Sequence, residues 1–530
     1  MKKIALLFSL SLIAVSVVKA QGTLSGDLMM NTNFFQRDSS IKAANNPLYD
    51  NYLSGGEAWL GLRYSYKGFT ATIRADVFNN SNLKDPQNAM SGFGLGAWTL
   101  SKEFKDLKIT AGYIYDQIGS GILFRAYEDR GLLIDNALVG VHLKYKLNEH
   151  IILKGFTGQQ KNVFNRYEPI VKGISAEGDY SIGKLHLLPG VGAINRTIDQ
   201  TSMEAITSTI NGYALGDRFE PMYNMYGYTF YNTLNIGDFS WYAEGSYKTH
   251  EAIIGLDGQL HDHDGNVEYT TLGYARKGIA LNVTGKRTEN FVMRTSPNEK
   301  LLLGILNWQP LVSHIRAQRL MARYTPASQD ISEQAAGADL LLAPNETTSF
   351  IINYTYINTL DNVKLYRETY LEGEYRGIDK CILQGGLQIL EYNQKVYQVN
   401  SAKTIVNAVT PFAEFTYRIN SKQSIRTEWE YMSTKQDYGS WIFGLLEFNV
   451  APKWSFSVSD MYNIDPYTDG LKLPSSEGKH YYNFFAAYTK GPHRFTIAYV
   501  KQVDGINCTG GVCRYEPAFS GIRTGITSSF

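Results

Sequence analysis

The stretch Glu57-Ala-Trp-Leu-Gly-Leu-Arg-Tyr-Ser-Tyr-Lys-Gly-Phe-Thr-Ala-Thr-Ile-Arg-Ala-Asp-Val77 carries the pattern that decides the fold. Ala58, Leu60, Leu62, Tyr64 and Tyr66 fall on one side of a two-residue repeat, and Glu57, Trp59, Gly61, Arg63 and Ser65 on the other. Lys67-Gly68 supplies turn chemistry. Phe69, Ala71, Ile73, Ala75 and Val77 then alternate with Thr70, Thr72, Arg74 and Asp76. Two strands joined by a tight turn are predicted, each with one apolar and one polar face.

The rhythm spreads outward along the chain. Leu24, Gly26, Leu28, Met30, Thr32 and Phe34 share one face of an earlier segment. Ala137, Val139, Val141, Leu143 and Tyr145 oppose Asn136, Gly140, His142 and Lys144; Ile425, Thr427, Trp429 and Tyr431 oppose Arg426, Glu428 and Glu430. Short connections such as Gly237-Asp238, Lys277-Gly278 and Gly491-Pro492 alternate with long polar ones: Asp38 to Asn51, Asn80 to Ser91, Thr197 to Met222, Glu251 to Gly265 and Asp465 to Gly478. A soluble sandwich turns its apolar faces inward, whereas a membrane barrel turns them out to lipid, with aromatic residues at both interfaces. Alternation alone does not choose between them, but the leader, the length and the Tyr and Trp at segment ends favour the barrel.

Lys2 and Lys3, the apolar run Ile4 to Val18 and the small-residue site Val18-Lys19-Ala20 read as a signal peptide over residues 1–20. Residues 21–530 then form one domain, since no Pro/Ser-rich linker or charge block divides them. After the leader no apolar run is long enough for a membrane helix, so membrane residence requires a closed barrel. The expected fold is all-β, a transmembrane antiparallel β-barrel of about 24 strands, within a range of about 22–26. An even count puts both termini in the periplasm. The last strand ends on Phe530, which resembles the carboxy-terminal assembly signal of outer-membrane barrels and implies the barrel-assembly machinery and outer-membrane lipid as partners.

The formal net charge of +1 argues against nucleic acid. Of the 3 cysteines, Cys508 and Cys513 flank a Gly-Gly turn and are a candidate disulfide, leaving Cys381 reduced. No metal site is expected there, because the pair lacks further Cys or His nearby.

From Thr110, the sequence Thr-Ala-Gly-Tyr-Ile-Tyr-Asp-Gln-Ile-Gly-Ser-Gly-Ile-Leu-Phe-Arg-Ala-Tyr-Glu-Asp-Arg130 precedes Ile134-Asp-Asn-Ala-Leu-Val-Gly140, and Leu306-Asn-Trp-Gln-Pro-Leu-Val-Ser-His314 follows later. These patches resemble an uncharacterised family of Bacteroidetes outer-membrane barrels with a G-S-G-x-x-x-R-x-x-E-D-R core. The resemblance spans the mature chain and implies fold and location without an activity.

Gly119, Ser120 and Gly121 interrupt a strand, and Arg125, Glu128, Asp129 and Arg130 follow. If the connection folds inward, this charge cluster forms a lumen constriction selecting solutes; otherwise it is a salt-bridged loop on the rim. Asn290 to Ser328 is too long and too Leu-rich for an ordinary connection. It fills the lumen, packs on a partner, or contains two further strands. Glu368, Glu372, Glu374, Glu414, Arg418, Arg426, Glu428 and Glu430 form a mixed-charge lumen wall, by default ordinary hydration and ion pairing.

Enzymatic readings find little support. His142 lacks a nearby nucleophile motif. Asp262-His-Asp-Gly-Asn266 opens like a calcium loop, but Gly273 stands where its Glu is required. Gly94-Leu-Gly96 lies within a strand, with no helix to bind phosphate. The expected protein is a cofactor-free channel or transport barrel for a small or medium solute without direct energy coupling. The alternative is a scaffold of a surface or secretion assembly that binds protein partners through its extracellular loops.

Overall fold

The computed structural model describes residues 22–530 except 87, 256, 300–302, 328–330, 399–402, 469–470, 475–476 and 510–511. The signal-peptide reading therefore lies outside the described residues.

A closed antiparallel barrel of 24 strands runs from Thr23–Phe35 to Phe519–Ser529. Each strand pairs with its neighbours, and the ring closes where the first strand meets the last, Asp27 opposite Ser529 and Phe35 opposite Gly521. Gly26 and Phe530 exchange both backbone hydrogen bonds at this seam, at 2.7 and 3.0 Å. The Phe530 ring lies over Gly26, where a Cβ would meet it at 2.5 Å, so a side chain at this position must displace the ring. Closure leaves no edge, which is what lets strands sit in lipid.

Exposure alternates with the apolar face outward. In Asn224–Ile236, Tyr226, Tyr228 and Phe230 are exposed while Met225, Thr229 and Tyr231 are buried. In Phe69–Ser81, Phe69 and Ile73 face out and Arg74 and Asp76 face in, buried. The predicted hairpin from Glu57 to Val77 is present, with Tyr66 opposite Phe69 across the Lys67-Gly68 turn. Both described chain ends lie at the short-turn end of the barrel.

The long connections at the opposite end carry small elements, including Pro47–Asn51 and the helix Gln200–Asn211. Asp199 caps the latter through a 3.0 Å bond from Ser202 N–H, and Ile206 and Ile210 pack with Ala252 and Leu260. One expected loop is corrected. Most of Glu251 to Gly265 is strand, because Phe239–Ile254 and Leu260–Arg276 keep pairing as far as Ile254 and Leu260. The calcium-like segment Asp262–Asn266 therefore lies on a strand, whose alternation splays its side chains to opposite faces. Cys508 and Cys513 face each other in the ladder of Gly505–Thr509 with Val512–Glu516, but their side chains lie outside the described residues.

A candidate lumen plug and its moorings

Two connections that start at the long-loop end, residues 115–137 and 290–332, turn into the barrel. The lumen records where they lie. In Asn224–Ile236 and Ile405–Arg418, inward residues are buried near the long loops and become hydrated toward the short turns. The plug thus fills one half of the lumen and leaves the other open to water.

The first connection forms a small hairpin, Gln117–Ile118 with Phe124–Arg125. Its tip needs glycine: Gly119 has φ +58° and Gly121 φ +99°. The tip reaches the wall at Phe239–Ile254, where Ser120 donates through N–H and Oγ to Glu244. Ile122, Leu123 and Phe124 are buried in an apolar core with Phe156, Ile194, Phe291 and Leu306. Two backbone bonds knit the connections together, Arg125 N–H to Leu306 C=O at 2.9 Å and Trp308 N–H to Gly121 C=O at 3.0 Å. The described residues of Asn290 to Ser328 therefore follow the first of its three alternatives and fill the lumen. Among its described residues there is no spanning strand, only an isolated bridge from Arg294 to Ile305 and a turn at Met321–Arg323.

The four charges of the first connection divide. Arg74 forks onto Asp76 at 2.7 and 2.8 Å and also reaches Glu128 at 2.6 Å and Asp135 at 2.8 Å. Lys161 joins through Asp135, and Arg130 pairs with Glu128 at 2.9 Å and Asp27 at 3.1 Å. Gly96 leaves the space that the Asp76 carboxylate occupies. Glu128 and Arg130 thus belong to a network clamping the connection to the wall. Asp129 instead accepts from Gly131 N–H, and Arg125 lies between the Tyr127 and Trp308 rings at 4.6 and 4.8 Å.

The second connection is moored in two ways. Over residues 292–310, buried wall cations donate to plug carbonyls: Lys248 to Val292 at 2.9 Å, Arg196 to Arg294 at 3.2 Å and Lys286 to Pro310 at 2.9 Å. Glu251 balances Arg196 and Lys248, and Glu333 balances Lys286. Over residues 314–324 the plug supplies the donors itself, mostly from side chains. His314 bonds Asp339 at 2.7 Å; Arg316 forks onto Glu368 at 2.9 and 2.8 Å and covers the Tyr370 ring at 3.8 Å. Leu320 N–H donates to Glu430 and Tyr324 Oη to Asp437, each at 3.0 Å.

This second half separates two cavities. His314 to Gln318 line one of about 680 Å³ facing the hydrated half, with Ile351, Tyr370 and Glu372. Arg319 and Arg323 line another of about 320 Å³ among the long loops, with Lys403, Asp437 and Asp504. Gln318 lines the first cavity and Arg319, next in the chain, the second, so this stretch is the septum between them.

The predicted wall residues lie on inward faces, in different roles. Glu368 and Glu430 hold the plug. Arg426 pairs with Glu414 at 2.7 Å and also bonds Glu428. Glu372 accepts from Tyr370, Glu374 pairs with Arg376 at 2.7 Å, and Arg418 lies at the short-turn rim. Sequence reasoning missed the buried cations. Lys248 and Glu251, three residues apart, belong to opposite faces of a regular strand, but a register shift between them brings both inward.

Residues 1–530 match the model of a family described as being of unknown function. No curated protein matches the chain. Among solved structures it is similar to a mutant of the ferric enterobactin receptor PfeA from Pseudomonas aeruginosa, at 9% identity over 97% of this chain and 81% of that chain, TM-score 0.44. It is also similar to the P pilus usher PapC translocation pore, at 8% over 96% and 99%, TM-score 0.45. The third, P. aeruginosa OccK1 (OpdK), stands at 12% over 82% and 98%, TM-score 0.34.

Proposed function

The chain belongs to that family, DUF6029, and from its geometry we propose a solute channel of the outer membrane, without direct energy coupling, closed at rest by its own plug. The observation that carries this is the septum: neighbouring residues of 314–324 line two different cavities, His314 to Gln318 the one facing the hydrated half and Arg319 and Arg323 the one among the long loops. Movement of that stretch joins them, while residues 292–310 stay on buried cations. The apolar exterior supports residence in lipid, with the short turns and both mature termini on the periplasmic side, as in other bacterial barrels. Phe530 at the seam is the place where barrel-assembly machinery would read the last strand. No step of this function asks for a cofactor or for catalysis.

Liposome swelling with sugars of graded size, using the full chain and Arg316→Ala, tests the proposal. The parent is expected to swell slowly and Arg316→Ala faster, up to a size limit. Absence of swelling for both, at every size, would exclude a channel. A scaffold role is favoured by one different observation, the filled half-lumen, and predicts that fixed protein partners co-purify while Arg316→Ala leaves permeability unchanged.

A further inference from the structure

The cavity among the long loops has unequal charge satisfaction. Its carboxylates are engaged. Asp437 accepts from Tyr324 Oη and from Gln394 at 3.0 Å, with Lys403 at 3.6 Å and Arg323 at 3.8 Å. Asp504 accepts from Tyr515 Oη at 2.9 Å, and Glu516 pairs with Arg514 at 2.6 Å. Its cations are not all engaged: among the described residues, the Arg319 guanidinium, exposed to this cavity, has no carboxylate partner.

Arg323 lies beside it, and the Arg323 Nε is buried without a hydrogen-bond acceptor. Burial first, then the neighbouring Arg323 cation, push the Arg319 guanidinium below its ordinary range, with Arg523 adding to this and Glu430 opposing it. A planar guanidinium fork matches a carboxylate in two parallel hydrogen bonds, and Tyr324, Tyr438 and Tyr515 give the cavity flat apolar surfaces. Its volume of about 320 Å³ suits a small molecule.

We propose that this cavity is a binding site for a carboxylate-bearing solute of about monosaccharide size, whose acid group is taken by Arg319. The assignment deepens the channel reading, because it names the solute class that waits at the septum, yet it is testable without transport.

Calorimetric titration of the purified full chain with D-glucuronate and with D-glucose, and with benzoate and benzyl alcohol, compares acids with neutral analogues. At least one acid is expected to bind tenfold or more tighter than its neutral analogue. Arg319→Gln should remove that preference and Arg319→Lys should retain some of it, with the heat-modified gel mobility of the folded barrel unchanged in both. Failure of both acids to bind tighter than their neutral analogues, or an Arg319→Gln protein with undiminished preference, overturns the site. Acid binding without swelling keeps the site and removes the channel; swelling without acid preference does the reverse.

Discussion

The two halves of the 290–332 connection occupy the same lumen but are fastened by opposite logic. Residues 292–310 offer backbone carbonyls to cations rooted in the wall, and those cations are buried: Lys248 and Arg196 are fully inaccessible. Residues 314–324 offer mostly their own side chains to wall carboxylates, in pairs that range from hydrated, His314 with Asp339, to buried, Arg316 with Glu368. A buried cation whose counterion and carbonyl acceptor are both in place is costly to disturb, because every departure strands a charge away from water. A pair that water can reach gives up less when it parts. One continuous segment therefore combines a fixed anchor with an arm that parts most easily at its His314 end.

The largest expected effect breaks the anchor. Glu251→Met strands the buried Arg196 and Lys248 cations, and removal of one partner of a buried pair costs about 3–5 kcal/mol. Urea titration followed by gel mobility should show that loss, and adding Arg196→Met and Lys248→Met should recover much of it. A Glu251→Met barrel as stable as the parent would erase the distinction between the halves.

The arm should respond differently. Glu368→Gln weakens a forked, charge-assisted contact with Arg316 worth about 1.5–3 kcal/mol, roughly a ten- to hundredfold rise in the detached population. Single-channel recording should show longer openings, with the urea midpoint lowered less than in the anchor variant.

Gly121→Ala probes the hairpin that pins the anchor. At φ +99° a side chain is strained, and the cost is on the order of 1–3 kcal/mol. Faster proteolysis within residues 115–137 would report it.

The smallest effect is on acidity. Burial pushes the Asp116 carboxyl up, but the hydrogen bond from His142, the Lys154 charge and the Gln117 N–H outweigh it and leave the pKa below the ordinary 3.8. A depressed folded pKa stabilises above the unfolded value and is lost as pH falls through the folded one. Leak should therefore rise only below about pH 4, and Asp116→Asn should flatten that dependence.

The barrel was legible because a closed barrel with an apolar exterior imposes period-two alternation on its strands, as Phe69 to Val77 shows. The plug was legible only as an anomaly, the Leu-rich run from Leu301. Its destination was hidden, since Val406, Ala408 and Phe412 are apolar on an inward face and so dilute the inside-out pattern wherever the plug covers the wall. The paired role of Lys248 and Glu251 depended on a bulge that residue types do not announce. Arg125 and Asp129 separated from Glu128 and Arg130 because a stacked cation and a turn cap are local matters, whereas the Arg74 network joins the connection to wall strands remote in sequence.

The plug's place in chain order bears on assembly. Residues 292–310 bond to Arg196 and Lys248, which precede them, and residues 314–324 bond to Asp339, Glu368, Glu430 and Asp437, which follow. None of these contacts spans the seam between Thr23–Phe35 and Phe519–Ser529. Each half can therefore settle against strands on its own side while the ring is still an open sheet, and the final pairing of first strand with last seals a lumen already furnished, with nothing left to thread.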